Sequence, residues 1–206
     1  MALCCRNVSF AYDAAAPVLR DVSFSVERGE RVALVAPSGY GKTTLCRIIA
    51  GFLSAQTGAI EIDGAPLARK GARSVQLIWQ QPELAFDPRL RMSKSLREVS
   101  GYEEAYRNEL LDRFNAKTEW LNRFPSELSG GELMRFCIVR ALLARPAYLI
   151  CDEMTAMLDA VTQAFVWKEL ISFADANQLG LLVVSHSPDL LNRVATRIID
   201  LTACSR

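Results

Sequence analysis

The sequence predicts an α/β fold with a central, largely parallel sheet, and three observations carry that prediction. First, the stretch APSGYGKT, Ala36 to Thr43, lies between the apolar run Val32 to Val35 and a segment with Leu45, Ile48, Ile49 and Phe52 at helical spacing. The order there is strand, glycine-bearing loop, helix. Second, two short apolar runs, Tyr148 to Cys151 and Leu181 to Val184, end in the polar pairs Asp152 with Glu153 and Ser185 with His186, as buried parallel strands do. Third, Ala160 to Ala174 between them is helical, and this alternation argues βαβ units.

Along the chain, Val8, Phe10, Val18, Val22, Phe24 and Val26 alternate with polar residues, with turns at Asp13 to Pro17 and Arg28 to Glu30. These are short, half-buried strands of an antiparallel N-terminal subdomain. Tyr12 closes the first; it is either ordinary packing or a flat platform for a purine base. Gly58 to Gly64 reads as a further hairpin strand, and Val75 to Trp79 as a strand running into Gln80. Gln80 is a strand terminus or a ligand-sensing group, because sites in α/β folds lie at the carboxyl ends of strands. From Met92 to about Phe124, Tyr102, Tyr106, Leu110 and Phe114 recur every four residues amid charges, so an amphipathic helical insertion is expected. A helix from Ser129 to Ala144 is stopped by Pro146. One domain over residues 1–206 is expected, its helical part spanning about 88–127.

The loop APSGYGKT has the makings of an anion cradle, since backbone N–H groups at a helix N-terminus face an electron-rich ligand. Gly39 and Gly41 let the backbone approach phosphates, Lys42 reaches the β- and γ-phosphates, and the Thr43 hydroxyl suits magnesium. Ala36 departs from the glycine that opens this pattern; a left-handed backbone there would cost roughly 1–2 kcal/mol. With the strand ends converging on the same sheet edge, Asp152 is placed to bind magnesium and Glu153 to orient or deprotonate water.

Composition excludes several classes. Lys plus Arg number 24 against 23 for Asp plus Glu, so no basic surface for nucleic acid is indicated. No apolar run is long enough to span a membrane and no secretory leader is evident, so a cytoplasmic location is expected. The six cysteines form no C-x-x-C pair and the one histidine builds no zinc site; reduced, mostly buried thiols are expected, with Cys4 and Cys5 on opposite strand faces.

The run LSGGE, Leu128 to Glu132, followed by an arginine-bearing helix and YLICDE, resembles the signature of the ATP-binding-cassette (ABC) family. The resemblance covers essentially the whole chain, with Tyr12, Gln80, Ala156 to Asp159 and His186 in the family's order. It implies a P-loop NTPase fold of ABC type, in which two such domains pair head to tail and sandwich two ATP molecules. Tyr12 would stack on adenine, and Ser38, Gly39, Tyr40, Gly41, Lys42, Thr43 and Thr44 would hold the phosphates. Thr43, Gln80 and Asp152 would coordinate Mg2+. Ser129 and Gly131 would approach the γ-phosphate from across the dimer, and Gly130 and Asp159 would also bind the nucleotide. Glu153, His186 and Lys42 would be the catalytic groups. Glu132, in a place commonly held by glutamine, is expected to face solvent or an arginine.

The segment VQLIWQQPELAFDPRL, Val75 to Leu90, is similar to ATPases of peptide and nickel importers. The resemblance therefore implies an ATPase on the cytoplasmic face of a membrane, with a second ATPase subunit, permease subunits and a solute-binding protein as partners. No regulatory domain is expected after Ile199 to Leu201. A soluble ATP-dependent switch and an inactive nucleotide-binding scaffold are the other readings.

Overall fold

The computed structural model describes residues 1–13, 16–67 and 74–204. Strand β1 (Ala2–Asp13) pairs antiparallel with β2 (Ala16–Glu27) and with β4 (Thr57–Ile62), which turns back into β5 (Ala65–Pro66). The first expected turn, Asp13 to Pro17, falls partly on residues 14–15, outside the described residues. The alternation read from the sequence sets the faces: Leu3, Cys5 and Val8 are buried, whereas Cys4 on the opposite face is partly exposed.

The second sheet is wholly parallel. It contains β3 (Arg31–Val35), β6 (Val75–Ile78), β7 (Tyr148–Asp152), β8 (Gly180–Val184) and β9 (Arg197–Asp200), in the order β6-β7-β8-β3-β9. Every residue of β7 and β8 is buried because both faces are covered. Tyr148 and Ile150 pack with β1, β2 and the helix α1 (Lys42–Ile49); Leu149 and Cys151 pack with α4 (Gly130–Leu143) and α5 (Ala160–Asn177).

The expected helical stretch after β6 is a set of short pieces. Helices α2 (Met92–Arg97) and α3 (Glu104–Arg113) are joined by turns and followed by two 3-10 segments. Tyr102 precedes α3 and Phe114 follows it, so the four-residue spacing spans more than one element; Leu110 and Phe114 are buried, Tyr102 and Tyr106 half-buried. Helix α6 (Pro188–Val194), capped by Ser187, leads into β9. Phe52 lies outside α1, contrary to its helical spacing. The helix stops at Ile49, Gly51 turns the chain with φ 74°, and the half-exposed Phe52 ring instead meets Trp79 at 5.0 Å.

The thiols of Cys5, Cys46, Cys137 and Cys151 are buried. Burial pushes Cys5 up to about 12 and raises Cys46, Cys137 and Cys151 well above the ordinary thiol value, so all four are protonated at neutral pH.

Candidate active site

The parallel register brings the carboxyl ends of β3, β6, β7 and β8 to one edge, and each strand hands over to a polar segment there. After β3, Gly39 (φ 79°) and Gly41 (φ 85°) adopt left-handed conformations, and Gly41 caps α1 without help from any side chain. A Cβ on Gly41 would lie 2.8 Å from Val18 Cγ1 and 2.9 Å from Leu19 Cδ2. Ala36 does not adopt a left-handed conformation, so the strain considered for it does not arise. Lys42 is buried, and its Nζ donates to the carbonyls of Ala36 at 2.7 Å and Pro37 at 3.0 Å.

A cavity of about 350 Å³ opens over this loop, lined by Tyr12, Val18, Ser38, Gly39, Gly41, Lys42, Thr43, Thr44, Glu153 and His186. Tyr12 is 63% exposed, yet it is oriented on two sides: its ring meets Phe10 edge-on at 4.9 Å, and its hydroxyl lies 3.2 Å from Thr44 Oγ1. Tyr40 is exposed and does not line the cavity.

Asp152, last in β7, is 4% exposed. One of its oxygens, Oδ1, is buried without a hydrogen-bond partner, and Thr43 donates to the carboxylate. Burial raises the carboxyl above its ordinary range, with the Thr43 bond acting against it. A buried orphan oxygen beside a threonine hydroxyl is a donor set suited to a hard divalent cation, so these residues fit Mg2+.

Glu153 follows in a left-handed conformation, φ 52°, with its N–H donated to Val184 of β8. Its side chain joins the two other strand ends. Gln80, just beyond β6, donates from Nε2 to Oε2 at 2.9 Å, and His186 Nε2 lies 2.8 Å from Oε1. The glutamine, glutamate and histidine singled out separately in the sequence thus form one hydrogen-bonded chain.

Ser129, Gly131 and Asp159 do not join this cavity. They line a separate one of about 300 Å³ with Met157 and Arg135. Both polar side chains serve as helix caps: Ser129 Oγ accepts from Glu132 N, and Asp159 Oδ1 accepts from the N–H groups of Val161 and Thr162. Glu132 turns neither to solvent alone nor to an arginine. Its Oε2 accepts from Ser129 N at 2.9 Å, closing a reciprocal capping box.

Three residues outside the sequence reading lie directly behind Glu153. Thr155 Oγ1 accepts from Gln163 Nε2 at 2.9 Å and from Trp167 Nε1 at 3.0 Å, and Gln163 Nε2 also reaches the Thr155 carbonyl at 3.3 Å. The four-residue spacing of Gln163 and Trp167 placed them on one face of α5, but nothing in the sequence gave their partner.

The sequence pattern of the ABC transporter family matches residues 19–156. The nickel import system ATP-binding protein NikE of Staphylococcus aureus (strain bovine RF122 / ET3-1) is 33% identical over 203 residues, covering 94% of this chain and 84% of the relative. NikE of strain N315 is 32% identical over the same shares. Among solved structures, an ATP-binding subunit of an ABC transporter superposes with a TM-score of 0.85 at 29% identity, over 97% of this chain and 85% of that one. A dimeric bacterial ABC transporter cassette gives a TM-score of 0.83 at 24% identity, over 97% and 94%, and shows the common fold. The glycine-bearing loop, the carboxylates at the end of β7 and the match across two thirds of the sequence agree: the chain belongs to the ABC transporter family, as an ATP-binding subunit.

Proposed function

We propose that this chain hydrolyses ATP to drive solute import through membrane permease subunits, with nickel or peptides as the cargo class. The observation that carries the hydrolytic part is Glu153, which lines the P-loop cavity while accepting from Gln80 and pairing with His186. A carboxylate fixed by two neighbours beside a phosphate cradle is equipped to take a proton from water attacking in line with the γ-phosphate.

In this reading Tyr12 stacks on adenine. Ser38 to Thr44 supply amide and hydroxyl donors to the phosphates, and Lys42 neutralises charge on the transferring group. Asp152, Thr43 and Gln80 would hold Mg2+, which would neutralise charge developing on the phosphates. Glu153 accepts the proton of the attacking water, and His186 keeps Glu153 and the γ-phosphate in register. Ser129, Gly130, Gly131 and Asp159 complete the site of a second subunit, identical or similar; the separate cavity that Ser129, Gly131 and Asp159 line is what such an exchange needs.

The chain works as one ATP-binding unit, residues 88–127 forming a helical part inserted in it. Among the described residues no helix is long and apolar enough to cross a membrane. We place the chain on the cytoplasmic face, held there by its permease, with a solute-binding protein delivering the cargo. The importer assignment draws on the NikE relatives and on the segment Val75 to Leu90.

The test is Glu153→Gln. ATP binding should persist, turnover should fall by about a hundredfold or more, and an ATP-bound dimer should accumulate on size-exclusion chromatography. Turnover at the unmodified rate would sink the assignment. Purification from membranes should bring permease chains with the protein, and a fraction free of them would overturn the transport reading.

A further inference from the structure

We propose that Trp167 and Gln163 are positioning residues that set Glu153 through Thr155; this rests on the reading of Glu153 as the base. Glu153 has open space on two sides, because it and His186 line both the P-loop cavity and a second cavity of about 350 Å³ floored by Trp167, Met154 and Leu190. Gln80 and His186 hold the carboxylate, but packing does not fix the backbone that carries it. Its backbone is left-handed, a conformation that in a residue with a side chain persists only where the surroundings hold it.

On the β7 side the hold is plain: the Glu153 N–H is bonded to Val184 at 3.0 Å. On the other side the chain leaves the sheet, Met154 is buried in the core, and Thr155 is the first residue held by side-chain hydrogen bonds. Its carbonyl accepts from Leu158 N, and its hydroxyl accepts from Gln163 and Trp167. Thr155 is 3% and Trp167 4% exposed, so the indole bond lies out of water, where such bonds hold geometry most firmly. The Ala156 N–H returns to the Glu153 carbonyl at 3.1 Å, tying the anchor to the glutamate. The residues between Glu153 and the cap Asp159 are thus pinned to the first two turns of α5. Any displacement of that helix relative to β7 would reach Glu153 through Thr155.

Trp167→Phe keeps an aromatic six-membered ring but removes the pyrrole part of the indole with its N–H, so Thr155→Val, which removes the acceptor at nearly constant volume, is the control for the lost volume. The losses expected from one buried hydrogen bond are about tenfold in kcat for ATP hydrolysis, with KM for ATP within about twofold of the unmodified protein. Thr155→Val should lower kcat too, and the double variant should be no slower than Thr155→Val alone, because both act through one bond. Gln163→Leu, at a half-buried position that tolerates the change, should show the same split of kcat from KM and carries the test should Trp167→Phe not fold. Unmodified kcat in the folded variants, a loss carried by KM alone, or multiplying losses in the double variant would overturn the clamp. An unmodified protein without turnover, or Glu153→Gln with full turnover, would instead overturn the assignment of Glu153 itself.

Discussion

Tyr12 and Thr44 are joined hydroxyl to hydroxyl at 3.2 Å, linking the end of β1 to the first turn of α1. An aromatic ring that is mostly exposed is thereby held beside the phosphate loop. Tyr12→Ala should weaken ATP binding by roughly 5- to 100-fold, the range of one base stacked on an aromatic ring. Tyr12→Phe, which keeps the ring and loses the tether, should weaken it by less than about tenfold. Titration calorimetry distinguishes the two, and equal affinity in Tyr12→Ala would remove the ring from the site.

Asp152 works against the stability of its own fold. Its carboxyl is raised by burial, so between the ordinary carboxylate value and the raised one the folded chain binds more protons than the unfolded chain. This contribution to stability falls as pH rises through that window and stays lower above it. Asp152→Asn should therefore raise the Tm at neutral pH, while abolishing Mg2+-dependent turnover. An unaltered Tm at pH 7 would show that Asp152 imposes no such penalty.

Glu132 is a cap. Glu132→Gln retains an acceptor for the Ser129 N–H and should leave the Tm unchanged. Glu132→Ala should lower it by about 2–4 °C, from a cap worth ~1 kcal/mol. Equal loss in both variants would mean that charge, and not the capping bond, is what the position requires.

The two loop glycines should respond differently to alanine. At Gly39 an added Cβ meets nothing within 4 Å, leaving only a left-handed strain of about 1–2 kcal/mol. At Gly41 the same strain is joined by contacts of 2.8 and 2.9 Å with Val18 and Leu19. Thermal unfolding should place Gly41→Ala below Gly39→Ala, and ATP affinity should follow the same order.

The strand ends were legible because β7 and β8 are buried on both faces, which writes an unbroken apolar run that stops where a polar side chain meets the site. Helices α4 and α5 were legible within a few residues for a similar reason, each having a capping side chain before it. Spacing misled at Phe52, where apolar periodicity continued past a turn that Gly51 imposes. Pattern misled at Ala36, because a motif records residue types and not dihedral angles. The pairing of Ser129 with Glu132 was written in the sequence as S-x-x-E, a spacing that fits a capping box and a solvent-facing acid equally well until the side chain is placed. The bonds of Thr155 with Gln163 and Trp167 were not legible, since they depend on how α5 settles against the end of β7.

The two carbonyl bonds of Lys42 bear on which ligands the loop admits. Two of its three N–H donors are taken by the carbonyls of Ala36 and Pro37, so an incoming phosphate meets one open donor and must compete for the other two. A weak or singly charged anion has little to set against two good carbonyl acceptors. Only a ligand that engages the neighbouring amides at the same time, with several negative oxygens at once, gains enough to draw the amine away. On this geometry the loop should favour a polyphosphate over a small single anion.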